Sequence, residues 1–411
     1  MMKILRLAAI FALVAVPATD AATFKPKRGI SLDIWMTWPQ EDVWDQESAI
    51  LPFPEWHKTV AAPELAALKK AGFDTVRMPV DPAIFISDKS AAFHDRLYDD
   101  VVSSVKLVED AGLKVIVDLH WLPGGGNRSI GTDQVLKDEA LFENYLLFAR
   151  RIAKSIAHEN PENVALEVFN EPTIDCDSDG TSDWPAKLKQ AFAATRASAP
   201  DLTLILSGAC WGGAEGLAKL DPKDYPDDNL IWSFHSYDPF IITHQGASWT
   251  GDFMPYVYGL PFPLYDTPKP ELDKILDTIR ERIKKDAPAS RVSGHLAYLD
   301  EQIALIATKE GQEAEMERPF GIVSDWAAKN NIDPATIMLG EFGIIRQEYQ
   351  NPVIIPGPVR SAYYKAQMQR AERHGFAWSL WSYGGPFGVV EEFDGRKSEA
   401  DVIDMVGELP H

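Results

Sequence analysis

The chain is short of basic charge. Its 411 residues carry 40 Lys and Arg against 61 Asp and Glu, a formal net charge of −21. A nucleic-acid binder displaces phosphate counterions with Lys and Arg, so this balance excludes that class, and it equally opposes docking on anionic lipid. Cysteine is scarcer still: two residues, Cys176 and Cys210, cannot build a disulfide-rich scaffold or a four-thiolate zinc site. His-Glu-x-x-His and paired-cysteine spacings are missing, so neither a metal nor any other cofactor is expected. No apolar run beyond the first two dozen residues has the length of a membrane span. Low-complexity linkers and charge blocks are also lacking.

The first 21 residues follow the plan of a secretory signal. Lys3 and Arg6 lie near the start, an apolar run covers Leu5–Val16, Pro17 breaks it, and small residues lead to Ala21. A spanning helix needs roughly 20 apolar residues, and this run is well short of that. The expectation is export to the periplasm or the outside of the cell with cleavage after Ala21, leaving residues 22–411 as one domain.

What remains alternates. Strand-length apolar runs occupy Arg28–Trp35, Thr75–Val80, Lys114–Trp121, Val164–Pro172, Leu202–Cys210, Asn229–Pro239, Ile337–Gly343 and Gly375–Tyr383. Several, such as VIVDL and LTLIL, are almost continuously apolar, as parallel strands covered by helices on their outer face read. Amphipathic helical stretches fall between them: Pro63–Ala71, Phe93–Ala111, Leu141–His158, Trp184–Ala197 and Arg360–His374, with Gly72, Gly112 and Gly375 as stop signals. Eight such units predict a closed (β/α)₈ (TIM) barrel. A doubly wound open sheet is the alternative, but it would usually carry a glycine-rich phosphate turn after its first strand, and Ser31–Trp38 shows none. One connection is abnormally long. Residues 240–316, after the sixth strand, are expected to form an aromatic- and proline-rich insertion shaping a cleft, with helical patterns at His295–Thr308 and Glu317–Lys329 and the latter as the sixth barrel helix.

The active site of a barrel lies where its strands end. Here the apolar strands run out into Arg77, Asp118, His120, Trp121, Asn170, Glu171, Cys210, Trp211, His235, Tyr237, Glu341 and Trp381. Two carboxylates on strands four and seven, in a mouth rich in Trp and Tyr, suit cleavage of a glycosidic bond. One must be protonated to assist the leaving oxygen, and the other must be ionised.

The run VALEVFNEP resembles the fourth strand of family 5 glycoside hydrolases, the cellulase family of a retaining (β/α)₈ clan. DTVRMPV, VIVDLHW, FHSYDP, LGEFG and SLWSYGG follow that family's order, so the resemblance reaches from Gly29 to about Tyr383. It implies Glu171 as general acid/base, with Asn170 on the sugar 2-hydroxyl, and Glu341 as nucleophile, held ionised by Arg77 and Tyr237. It further implies His235 positioning Glu171 or a leaving-group oxygen, His120 against the sugar at the cleavage site, Trp381 as the platform beneath it, and no metal.

Trp35, Trp38, Trp121, Trp211 and Trp249 are candidates to line sugar subsites, Trp121 and Trp211 most directly because they follow strand ends; packing under loops is the alternative for each. His244 is a further subsite candidate. Asp118 shares a strand face with His120 and reads as its hydrogen-bonding support. Neighbouring strands lie about 4.8 Å apart, so Cys176 and Cys210 can meet across the mouth in an oxidising compartment, with two unpaired thiols the alternative. The acidic surface disfavours uronate polymers. The expected activity is therefore that of a monomeric endo-β-1,4-glucanase on a neutral β-glycan. A β-mannanase, a β-1,3-glucanase, a xyloglucan-cleaving or an exo-acting enzyme are the rivals within the family, and a barrel that only binds carbohydrate is the rival of another class.

Overall fold

A computed structural model of the chain describes residues 24–33, 35–50, 60–125, 128–176, 182–348, 351–389 and 400–409. The expected export signal and His57 lie outside them. Eight strands close into a barrel in sequence order: β1 (Arg28–Ser31), β2 (Thr75–Val80), β3 (Lys114–Leu119), β4 (Val164–Glu167), β5 (Thr203–Ser207), β6 (Leu230–His235), β7 (Ile337–Phe342) and β8 (Ala377–Leu380). Every pairing is parallel, including the closing pair of β1 with β8. The strands are shorter than the apolar runs that announced them. In the fourth, the ladder stops at Glu167 and the chain continues to Glu171 in irregular backbone.

Among the described residues the helices α1 (Ala62–Ala71), α2 (His94–Asp110), α3 (Glu139–Ile156) and α4 (Trp184–Arg196) follow the first four strands. Each forms where its sequence gives one apolar face and a signalled end. Asp138 accepts the amide of Leu141 to open α3, and Gly72, at φ 108°, closes α1 in a left-handed turn no other residue adopts cheaply. The outward residues of the strands and these apolar faces make the main core. Trp184 of α4 is fixed over β5 by its indole N–H, which donates to Ser207 O at 2.9 Å.

After β6, beyond a single helical turn at Phe240–Thr243, come three long helices rather than the two expected: α5 (Lys269–Asp286), α6 (Val292–Ile306) and α7 (Lys309–Asn330). The first of these was obscured by its charge. Leu272, Ile275, Leu276, Ile279 and Ile283 form a narrow stripe at helical spacing in an otherwise charged segment, and the last three are buried. Residue 316 is no boundary, because α7 runs unbroken from residue 309 through Pro319 and is at once the end of the insertion and the sixth barrel helix. Helices α8 (Gly357–Arg373) and α9 (Ala400–Gly407) complete the order.

Inside the barrel, strand alternation sorts chemistry by height. Ile116, Ala165, Ile205, Ile231, Met338 and Ala377, with Phe24, fill the lower end as a small cluster of their own. Two residues further along most strands, the inward file turns polar: Ser31, Arg77, Asp118, Glu167, Ser207, Ser233 and Ser379 are all buried. The functional side chains stand above that layer.

Candidate active site

Arg77 is the hub of the polar layer. Its guanidinium donates to Glu167 through Nε (2.7 Å) and Nη2 (3.2 Å), to Glu341 Oε1 through Nη1 (2.6 Å) and to Asn170 Oδ1 through Nη2 (2.8 Å), and lies 3.0 Å from Asp118. Burial acts to lower its pKa, but Asp118, Glu167 and Glu341 outweigh it and raise the pKa well above the usual value, so Arg77 keeps its charge. Glu167 was not singled out from the sequence. The signal was there: a carboxylate inside VALEVF must find a cation or break the strand. Its partner lies 90 residues away, and no local pattern names it.

Glu341 reaches the site through a bulge. Phe234 pairs with Leu339 but His235 pairs with Glu341, so Gly340 is the extra residue that re-aims the carboxylate. Only glycine fits there: a Cβ would lie 2.2 Å from Ser233 Oγ and 3.0 Å from His235 Nε2. Gly340→Ala is therefore expected to lower kcat on the enzyme's substrate by about tenfold or more. Adding Ser233→Ala should restore part of the loss, and kcat values of the single and double variants check this.

Tyr237 donates its hydroxyl to Glu341 Oε2 at 2.9 Å. Burial and the charge of Glu341 keep Tyr237 protonated. Glu171 stands at φ 42°, with Oε1 2.8 Å from His235 Nδ1. Burial lowers the pKa of both His235 and His120, against the opposing pull of Glu341. His120 shares a proton with Asp118 through Nδ1 (2.7 Å) and stacks on Trp381 with ring centroids 5.2 Å apart and planes 9° apart.

The two glutamates are not equivalent. Burial pushes Glu171 up to about 7, against the pull of His120 and Arg77. Burial raises Glu341 as well, against the pull of His235 and Arg77 and with help from the charge of Glu171. Arg77 lowers the pKa of Glu341 as expected, and burial outweighs it. The hydrogen bonds separate the pair: Glu341 accepts from an arginine and a phenol, whereas Glu171 has one imidazole partner, so the last proton of the pair resides on Glu171.

One oxygen of Glu171, one of Glu341 and a ring nitrogen of His235 lie within 4.8 Å of one another. The set could ligate a cation, but its atoms already pair with each other, Arg77 and Tyr237.

Around this centre a cleft of about 700 Å³ opens. Trp121, Trp211, Trp249, His244 and Trp381 line it, as do Phe240 and Phe387, which were not singled out from the sequence. Trp211 and Trp249 are half exposed and Trp121 shows only an edge. Trp35 is a correction. It is fully buried in the main core, because a turn (Trp35 N–H to Leu32 O, 3.1 Å) and the pairing of Met36 with Val80 fold this segment under the rim. Trp38 is likewise core, edge-on to Phe85. Asp33, also missed, is pushed up to about 6 by burial and accepts the amide of Gly384 at 3.0 Å, tying the loop after Trp381 to the end of β1. Cys176 and Cys210 are bonded across the loops after β4 and β5.

Residues 45–386 match the cellulase family, glycosyl hydrolase family 5. Endoglucanase 3 of Fibrobacter succinogenes is 24% identical over 342 residues, 80% of this chain and 46% of its own length. Endoglucanase C of Acetivibrio thermocellus is 25% identical over 238 residues, 58% of this chain and 65% of its own. The chain thus spans about half to two thirds of these relatives. Among solved structures, endoglucanase Cel5A from Thermotoga maritima superposes with a TM-score of 0.62 at 20% identity, covering 92% of this chain and 96% of that one. The cellulose synthase subunit Z of Clostridioides difficile gives 0.63 at 21%, covering 93% and 99%. These two establish likeness of fold.

Proposed function

Because the chain belongs to glycosyl hydrolase family 5, the cellulase family, we propose that it is a retaining β-glycosidase that cuts a neutral β-glycan, with endo-β-1,4-glucan hydrolysis as its activity. The observation that carries this is the spacing of the two carboxyls. Oxygens of Glu171 and Glu341 come within 4.8 Å, which fits the roughly 5–5.5 Å carboxyl spacing of retaining enzymes better than the roughly 6.5–9.5 Å of inverting ones.

In this reading Glu341 attacks the anomeric carbon while Glu171 gives its proton to the departing oxygen. Water then enters, Glu171 takes a proton from it, and the ester to Glu341 breaks. Arg77 and Tyr237 hold the attacking oxygens, and Trp381, backed by His120, lies under the reacting sugar. Asn170 keeps its amide NH₂ for the 2-hydroxyl, since its oxygen is taken by Arg77. Export by the N-terminal segment and action as a monomer belong to the same proposal. Relatives at about 25% identity carry the name endoglucanase, which favours a β-glucan; mannan, β-1,3-glucan and xyloglucan are the substrates that compete with β-1,4-glucan.

A panel of soluble neutral β-glycans, followed by NMR of the first-formed anomer, tests the proposal. The expected result is a β-anomer from a β-1,4-glucan. An α-anomer would overturn retention, and an inert wild type across the panel would favour a carbohydrate-binding role. The sign of the pH dependence follows from the two carboxyls. Glu171 must be protonated, so kcat/KM should fall as pH rises through about 7. Glu341 must be ionised, and its raised pKa places the acid limb above the ordinary carboxyl range.

A further inference from the structure

Among the described residues five with side chains hold left-handed backbone angles, and four of them crowd one corner of the mouth: Glu171 (φ 42°), Asp175 (63°), Cys210 (52°) and Trp211 (59°). Such conformations are costly and persist only where the surroundings impose them. Here the loops after β4 and β5 are tied three times. Cys210 N–H donates to Ile174 O and Trp211 N–H to Pro172 O, both at 3.0 Å, and the Cys176–Cys210 bond brings the two Cα atoms to 4.6 Å. What these ties display is Trp211, a large apolar ring 50% exposed on the wall of the cleft.

The side of the cleft is set by the chemistry. Glu171, as the proton donor, marks the glycosidic oxygen, and Trp381, three strands round the barrel from Trp211, lies on the reacting sugar's side. Trp211 is bonded to the residue after Glu171, so it flanks the space beyond that oxygen. Arg318, paired with Glu215 and 3.1 Å from Asp238, lines the same side and offers polar partners to hydroxyls.

Resting on the glycosidase reading, with Trp211 as the sugar-lining ring on the leaving-group side, we propose that the Cys176–Cys210 bond is the positioning element that holds this ring against the leaving-group sugars. Cys176 is exposed and Cys210 lines the cleft, so the bond is open to reductants.

The test compares wild type, Trp211→Ala, the double variant Cys176→Ser/Cys210→Ser, and wild type reduced with dithiothreitol and alkylated. The two substrates are cellohexaose labelled at its reducing end and β-cellobiosyl fluoride, whose leaving group is neither a sugar nor a ring that stacks on an indole. Loss of the platform should raise KM for cellohexaose by about tenfold with kcat little changed. Loss of the tie should leave kcat/KM on the fluoride within about twofold in the cysteine double variant and in the reduced wild type. It should also shift cleavage toward the reducing end, because the chain slides to occupy the remaining subsites, so the labelled fragment shortens. General damage to the loop does not shorten that fragment. An unchanged cleavage pattern in all three forms, or a parallel fall on both substrates, overturns the proposal while leaving the glycosidase reading intact. A wild type inert on both substrates overturns the glucanase reading and this one with it. The reduced wild type keeps the test available should the cysteine variants fail to fold.

Discussion

Glu341→Gly is expected to lose turnover by on the order of 10⁴-fold or more, and to regain it with azide on an activated aryl β-cellobioside, giving the α-glycosyl azide. The site explains both halves. Removing the carboxylate leaves Arg77 Nη1 and the Tyr237 hydroxyl, which held its two oxygens at 2.6 and 2.9 Å, aimed at an empty place beside the anomeric carbon. A small anion fits those donors and attacks once. The C–N bond forms as the bond to the aryl oxygen breaks, Glu171 protonates that oxygen, and no second displacement restores the configuration. In Glu171→Gly the first displacement still occurs on an activated aryl glycoside, and azide enters only in the second step, so the product is the β-azide. NMR of the two azides therefore assigns the roles independently of rate. An α-azide from the Glu171 variant together with a β-azide from the Glu341 variant would exchange them.

Arg77→Met should be the most destabilising single change at the site, costing about 3–5 kcal/mol near neutral pH. Methionine fills much of the space but leaves Glu167, Asp118 and Glu341, whose side chains are 0–4% exposed, without their shared cation. Burial already raises Asp118 and Glu341 against the pull of Arg77, and without the arginine their folded pKa values rise further above the unfolded ones. A group so raised favours the folded state below its unfolded pKa and loses that contribution as pH climbs through the folded value. The deficit of the variant against wild type should therefore be smallest near pH 4 and largest near pH 8, as read from urea denaturation at the two pH values. Equal stability at pH 8 would show that the cation is not what holds the three acids. Arg77→Lys should fall between, because one ammonium cannot serve Glu167 in a fork and reach Glu341 as well.

Much of this site was legible because strand periodicity is a strong signal. Arg77, Asp118 and His120 stand where alternation puts them. Asn170, Glu171 and Trp381 follow strand ends in a register the apolar runs disclose. Three things resisted reading, each for its own reason. The ladder of β4 ends at Glu167, and only the three-dimensional barrel reveals that this carboxylate faces Arg77. The bulge at Gly340 changes which residue of LGEFG points inward, and a glycine in a strand does not say which neighbour it serves. Trp35 belonged to the same aromatic cluster as true cleft residues, but a turn at Leu32 decides its fate, and solvent exposure of a tryptophan is set by what folds over it rather than by its own type.

The pairing of β1 with β8 has a kinetic consequence. Arg28 and Ile30 join Trp378 and Leu380, and the side chain of Arg28 also binds Glu372 at 2.9 Å, so the ring is sealed by contacts some 350 residues apart in the chain. A search over so long a loop is slow, and its entropy must be met before the seal repays it. A nascent chain lacking β8 has an unpaired edge at β1, and cannot complete the barrel until almost all of it has been made. For a protein that we propose crosses a membrane before it works, late closure keeps the chain threadable for longer. Slowing the final step, for example with Arg28→Ala, should then cost folding rate after release rather than passage.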